Sequence, residues 1–154
     1  MINLPSVKTD GFKISNMSIT YLALGSNLGN RAQHLNKAKK IVCQDVGKII
    51  SESSIHETEA VGFEGNPFYN QVIKVETALS PESLLQKTQE IEEKLGRTQK
   101  TIIKNETPVY SNRIIDIDIL LYDDLQINTE TLAIPHPKML ERDFVMNPLK
   151  EIYP

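Results

Sequence analysis

The 154-residue chain has no tryptophan, a single cysteine, and only nine other aromatic residues, four Phe and five Tyr. A lone cysteine cannot close an intrachain disulfide, so the fold must rest on an apolar core, as is usual in a reducing cytosol. Cys43 lies among the apolar positions of an expected helix and reads as packing. No apolar run approaches the ~18 residues of a membrane-spanning helix, and the first residues lack the apolar stretch of a secretory signal. Excess positive charge is absent too: the net charge is −3 and the pI near 5.6. That leaves no electrostatic footprint for a nucleic-acid partner. With 40% apolar and 24% charged residues, the expectation is one cytoplasmic domain with one core and no membrane contact.

What the chain does have is Arg113-Ile-Ile-Asp-Ile-Asp-Ile-Leu-Leu121. It reads as a strand, whose side chains alternate between faces. Ile115, Ile117, Ile119 and Leu121 are expected on the core face, and Asp116 and Asp118 together on the other, ~7 Å apart at Cα. Two adjacent carboxylates repel, and burying them unpaired costs several kcal/mol. A divalent cation is one answer, because hard ions take carboxylate oxygens and keep positions open for phosphates. Two solvated acids on a half-exposed sheet are the other.

Along the chain, residues 1–17 are weakly patterned and read as an extension outside a domain spanning 18–154. A buried strand over 19–24 ends at Gly25-Ser-Asn-Leu-Gly-Asn30, and a helix is expected over 31–45, closed by Gly47. Strands are expected over 48–56 and 70–77, separated by a loop over 57–68. Ser80-Pro81 signals a helix start, with an inner stripe of Leu84, Leu85, Thr88, Ile91 and Leu95 and Gly96 as its cap. Residues 97–112 read as a long polar loop. After the acidic strand come a hairpin-like segment, Ile134-Pro-His-Pro-Lys138, and a helical turn near 139–142. This βαββαβ order predicts an α+β, ferredoxin-like fold: an antiparallel sheet, helices on one face, the active site on the other.

Leu24-Gly-Ser-Asn-Leu28, Glu57-Thr-Glu-Ala-Val-Gly62, Pro67-Phe-Tyr-Asn70, Gly96-Arg97, Arg113-Ile-Ile-Asp-Ile-Asp118, Ile134-Pro-His136 and Arg142-Asp-Phe144 follow one another in order. Together they resemble the 6-hydroxymethyl-7,8-dihydropterin pyrophosphokinases of folate biosynthesis, over nearly the whole chain beyond the extension. The resemblance implies transfer of the pyrophosphoryl group of ATP, the co-substrate, to the pterin hydroxymethyl oxygen, with release of AMP. It implies two Mg²⁺ ions held by Asp116 and Asp118, and Arg97 and Arg113 as catalytic groups on the phosphates. Gln89, Glu92, Arg113, Ile119, His136 and Arg142 carry over as ATP contacts. Thr58, Ala60, Val61, Phe68, Asn70 and Phe144 carry over as pterin contacts, with the two Phe rings stacking on the pterin. The family is generally monomeric when not fused to another folate enzyme, so a monomer is expected, with other folate-pathway enzymes as neighbours.

The chain departs from the family pattern at several points. Tyr110-Ser-Asn-Arg113 stands where a Trp-Gly-Pro-Arg-like run is usual, Phe68 where Tyr is frequent, and Pro137 where an aromatic often follows the His. Thr131 stands where some members carry a phosphate-binding Arg, a charge that Lys100 and Lys104 could supply. Two other readings stay open: a two-metal nucleotidyl transferase of similar fold, and a degenerate nucleotide- or pterin-binding regulatory domain.

Overall fold

In the computed structural model, the described residues are 16–96, 102–104, 107–109 and 112–154, with only the backbone described at 102–104 and 107–109. Residues 1–15, most of the expected extension, lie outside them. Among the described residues, nine strands and three α-helices follow in the order β1 (Ser18–Ser26), α1 (Arg31–Asp45), β2 (Gly47–Glu52), β3 (His56–Thr58), β4 (Phe68–Thr77), α2 (Pro81–Lys94), β5 (Ile102–Lys104), β6 (Thr107–Val109), β7 (Asp116–Tyr122), β8 (Ile127–Asn128), β9 (Ala133–Ile134) and α3 (Asp143–Ile152), with a 3-10 turn at Met139–Glu141 before α3. The main sheet runs β2-β4-β1-β7, antiparallel throughout, with β3 continuing the β2 side of β4. This is the α+β arrangement the element order predicts. Among the described residues no helix is long and apolar enough to cross a membrane.

Local chemistry explains the helices. Asn30 caps α1 by accepting the Gln33 N–H, and Ser80 caps α2 by accepting that of Ser83, with Pro81 in the first turn. Leu35, Ala38, Ile41 and Val42 of α1 and Leu84 and Ile91 of α2 pack onto one sheet face, against Leu22, Leu24, Ile73, Val75, Ile117 and Ile119. A third helix covers part of the opposite face: Val145, Met146 and Leu149 of α3 pack with Tyr21, Val72, Leu120 and Leu121. The rest of that face is open. Sequence signals argue against α3, since Pro148 sits in its interior and removes a helical donor. Burial of Val145, Met146, Pro148 and Leu149 outweighs that loss.

Other expectations need correction. Leu121 does not share a face with Ile119, because the register with β1 shifts between Tyr21 and Leu22. Ile119 stands opposite Leu22 and Leu121 opposite Tyr21, so Leu120 is the extra residue of a bulge and the alternation resets. The strand expected over 48–56 ends at Glu52 because Ser53 breaks the ladder: its Oγ accepts the Val72 N–H at 3.0 Å while its own N–H donates to Val72 O. The polar loop over 97–112 contains the paired β5 and β6. Cys43 is exposed and packs in no core. Gly47 opens β2 and does not cap α1. It is needed for close approach, since a Cβ there would stand 2.0 Å from the Glu76 carbonyl.

Two polar contacts tie the layers together. Glu92, 5% exposed, accepts the Ile117 N–H at 2.8 Å, so α2 grips β7 at the residue between the two acids. Glu92→Ala is expected to cost about 2 kcal/mol, and Glu92→Gln, which keeps an acceptor, roughly half that. Urea denaturation checks both.

Glu151, near the end of α3, accepts from the Ser54 N–H and hydroxyl at 2.9 Å and pairs with the His56 ring. These donors, the Ser54 backbone N–H first, pull the Glu151 carboxyl down to about 2 from its usual 4.5. A depressed acid adds stability above its unfolded value, and that stability fades as pH falls towards the folded one. The stability gap between the wild type and Glu151→Gln is therefore expected to shrink as pH falls through 4.5 towards 2. Thermal melts across that range check it.

Candidate active site

The register of β1 builds the floor of the open face. Asp116 pairs with Gly25 and Asp118 with Ala23, while on the other side Gly25 faces Asn70 and Ala23 faces Val72. Gly and Ala leave the space beside both half-buried acids unfilled. A cavity of about 440 Å³ opens there, lined by Thr58, Glu59, Val61, Gly62, Phe63, Phe68, Asn70, Arg113, Asp116, Asp118, His136, Lys138, Arg142 and Phe144, among others. A second cavity of about 340 Å³ lies between α2 and the β8–β9 hairpin, lined by Gln89, Glu92, Ile119 and Thr131 and their neighbours. The two meet at Asp118, His136 and Pro137, which line both.

Each wall has an identifiable support. The bulge at Leu120 leaves its carbonyl to accept the His136 N–H at 2.9 Å, which anchors the segment after β9 beside the acids. The Ile134–Pro135 peptide bond in that segment is cis. His136 Nδ1 accepts the Lys138 N–H at 3.2 Å. In the neutral ring the proton is then on Nε2, which is a donor. Arg113 is 7% exposed and is held through its backbone: its N–H donates to Asn27 Oδ1 at 2.5 Å and its carbonyl accepts the Asn27 N–H at 2.9 Å. The Arg142 guanidinium lies 5.6 Å from the Phe144 ring centre, a cation–π spacing. Asn70 donates through Nδ2 to Thr58 Oγ1 at 2.7 Å.

Most residues expected at the site therefore converge. Thr58, Val61, Phe68, Asn70 and Phe144 line the larger cavity with Arg113, Asp116, Asp118, His136 and Arg142. Gln89, Glu92 and Ile119 line the smaller one. Gln89 and Glu92 differ, however: Gln89 is exposed, whereas the Glu92 carboxylate is buried and bonded to β7. Ala60 lines neither cavity. Arg97, Lys100, Tyr110 and Ser111 lie outside the described residues, as does the Lys104 side chain.

Sequence reasoning missed Glu59, Phe63 and Lys138. Phe63 packs edge-on against Phe68 at 6.4 Å between ring centres. An aromatic ring set among Gly62, Glu64 and Gly65 in a polar loop was the available signal for it. Among the described residues no group of three or more His, Cys, Asp or Glu is placed to hold a metal. The donor set that does exist, two carboxylates on one cavity wall, suits a hard cation that shares its remaining positions with phosphate oxygens.

The family model for 7,8-dihydro-6-hydroxymethylpterin-pyrophosphokinase matches residues 21–154. A 2-amino-4-hydroxy-6-hydroxymethyldihydropteridine pyrophosphokinase of Porphyromonas gingivalis is 44% identical over 140 residues, which cover 90% of this chain and 92% of that protein. Its Bacillus subtilis namesake is 42% identical over 137 residues, 88% of this chain and 78% of that one. The solved structure of wild-type Plasmodium falciparum HPPK-DHPS with SDX-DHP shares the fold, with a TM-score of 0.66 at 20% identity over 89% of this chain and 40% of that one. By the extent of these matches, the chain belongs to the 7,8-dihydro-6-hydroxymethylpterin-pyrophosphokinase family.

Proposed function

We propose that the protein transfers the pyrophosphoryl group of ATP to the hydroxymethyl oxygen of 6-hydroxymethyl-7,8-dihydropterin, giving AMP and the pterin pyrophosphate for folate synthesis. The observation that carries this reading is the pair of cavities meeting at Asp118 and His136. One is walled by aromatic rings and suits a planar heterocycle. The other lies behind the acids, between helix and hairpin, and suits a nucleoside. A triphosphate crossing the junction brings its β-phosphorus to the aspartates.

In this reading the pterin stacks between Phe68 and Phe144, with its polar edge met by Asn70, Thr58 and the backbone at Ala60 and Val61. The adenosine lies along Gln89 and Ile119, with Glu92 keeping β7 in place. Arg113 and Arg142 take phosphate oxygens, where a planar guanidinium can donate twice, and His136 donates through Nε2. Arg97 belongs to the same group. Asp116 and Asp118 are the residues that hold two Mg²⁺ ions, which when bound offset phosphate charge and lower the cost of exposing the hydroxymethyl oxygen as a nucleophile. The protein's own contribution is positioning and charge complementarity, as phosphoryl-type transfers require. The same reading makes it a cytoplasmic monomer.

Incubation with ATP, Mg²⁺ and the pterin is expected to yield AMP and pterin pyrophosphate in equal amounts. ADP as the product would mean transfer of the terminal phosphoryl group and would defeat the mechanism. Asp116→Ala or Asp118→Ala is expected to lower turnover by about a thousandfold or more, with circular dichroism and melting behaviour preserved. Full activity in either variant would remove the metal role.

A further inference from the structure

Three asparagines join three separate segments, each within two residues in sequence of one that lines the larger cavity. Asn27 follows β1, Asn66 stands two residues before β4, and Asn112 immediately precedes Arg113. Asn27, 1% exposed, donates through Nδ2 to Asn66 O at 3.0 Å and to Asn112 Oδ1 at 2.7 Å. Asn66 returns a bond from its Nδ2 to Asn27 O at 3.1 Å, and its backbone N–H donates to Asn112 Oδ1 at 3.2 Å. Backbone partners fix which end of each amide points where. The Arg113 N–H requires the Asn27 oxygen, the Asn66 carbonyl requires the Asn27 nitrogen, and the Asn66 N–H requires the Asn112 oxygen.

One atom, Asn112 Oδ1, therefore links the cavity's aromatic loop to the arginine beside the acids. The link is also tight: a Cβ on Gly65 would stand 2.5 Å from Asn112 Oδ1 and 2.2 Å from the Phe63 ring. Phe63 in turn packs on Phe68. We propose that Asn112 is a positioning residue, whose side-chain oxygen sets the Phe63–Phe68 wall against the root of Arg113. Arg113 keeps its own backbone tie to Asn27, so the Asn112 oxygen sets the place of the aromatic wall and leaves the phosphate contact standing. This inference rests on the function proposed above.

The test compares Asn112→Ala, which removes the oxygen, with Asn112→Asp, which keeps it. Loss of two accepted bonds in Asn112→Ala is expected to raise the pterin KM, and the pterin Kd read by its own fluorescence with a non-hydrolysable ATP analogue, about tenfold. The KM for ATP is expected to change by less than about twofold. Asn112→Asp is expected to restore pterin affinity to within about twofold of wild type, its added charge appearing only as a higher KM for ATP. Unchanged pterin affinity in Asn112→Ala would overturn the proposal. So would failure of Asn112→Asp to restore it, or a fall in Tm in Asn112→Ala large enough to explain the affinity loss. A wild-type protein that makes no AMP would instead overturn the pyrophosphokinase reading, and that result is distinguishable from all of these.

Discussion

The antiparallel ladder between β1 and β7 is the constraint on which the rest of the site depends. It seats Asp116 over Gly25 and Asp118 over Ala23, so the two acids look onto a floor with almost no side chains. One slip in register would turn both aspartates into the helix-covered core and Ile117 out to the cavity. Burial of Ile115, Ile117 and Ile119 on the opposite face opposes that slip. At roughly 1.5–3 kcal/mol for each large apolar side chain, those residues fix the register that the acids need.

The bulge at Leu120 then separates two tasks along one strand. Before it, the strand alternates between core and cavity. After it, Leu120 and Leu121 pack under α3, closing that end of the open face and limiting the cavity to the acidic end. The cations and the histidine arrive from other elements: Arg113 from the segment ahead of β7, His136 and Lys138 from the segment after β9, and Arg142 from the start of α3. The balance between acids and bases is therefore a product of tertiary structure.

Much of this is legible in the sequence because it depends on local periodicity. The alternation in 115–119, the capping signals at Asn30 and Ser80-Pro81, and the apolar stripe of α2 each specify an element without outside help. What escapes is set by long-range contact. Ser53 ends β2 by bonding to Val72, which no local pattern announces. The bulge at Leu120 follows from pairing with β1, and α3 tolerates Pro148 only because the sheet beneath it is apolar. At the site, motif residues such as Asp116, Asp118 and His136 converge as expected, and Phe63 does not stand out because its partner Phe68 lies across a loop. Glu92 reads from its helical spacing as a nucleotide contact; its place in the smaller cavity agrees with that spacing, while its burial and its bond to the Ile117 N–H depend on β7 and leave no local signal.

That tie has a consequence for how the molecule behaves in company. β7 is the last strand of the sheet on its side, and an uncovered strand edge invites pairing with another chain. Here the N–H of Ile117 is occupied by the Glu92 carboxylate and the carbonyl of Leu120 by the His136 N–H. The contacts that hold the acids and the histidine in place thus also deny the sheet a sticky border, and loosening β7 would expose a template for self-association.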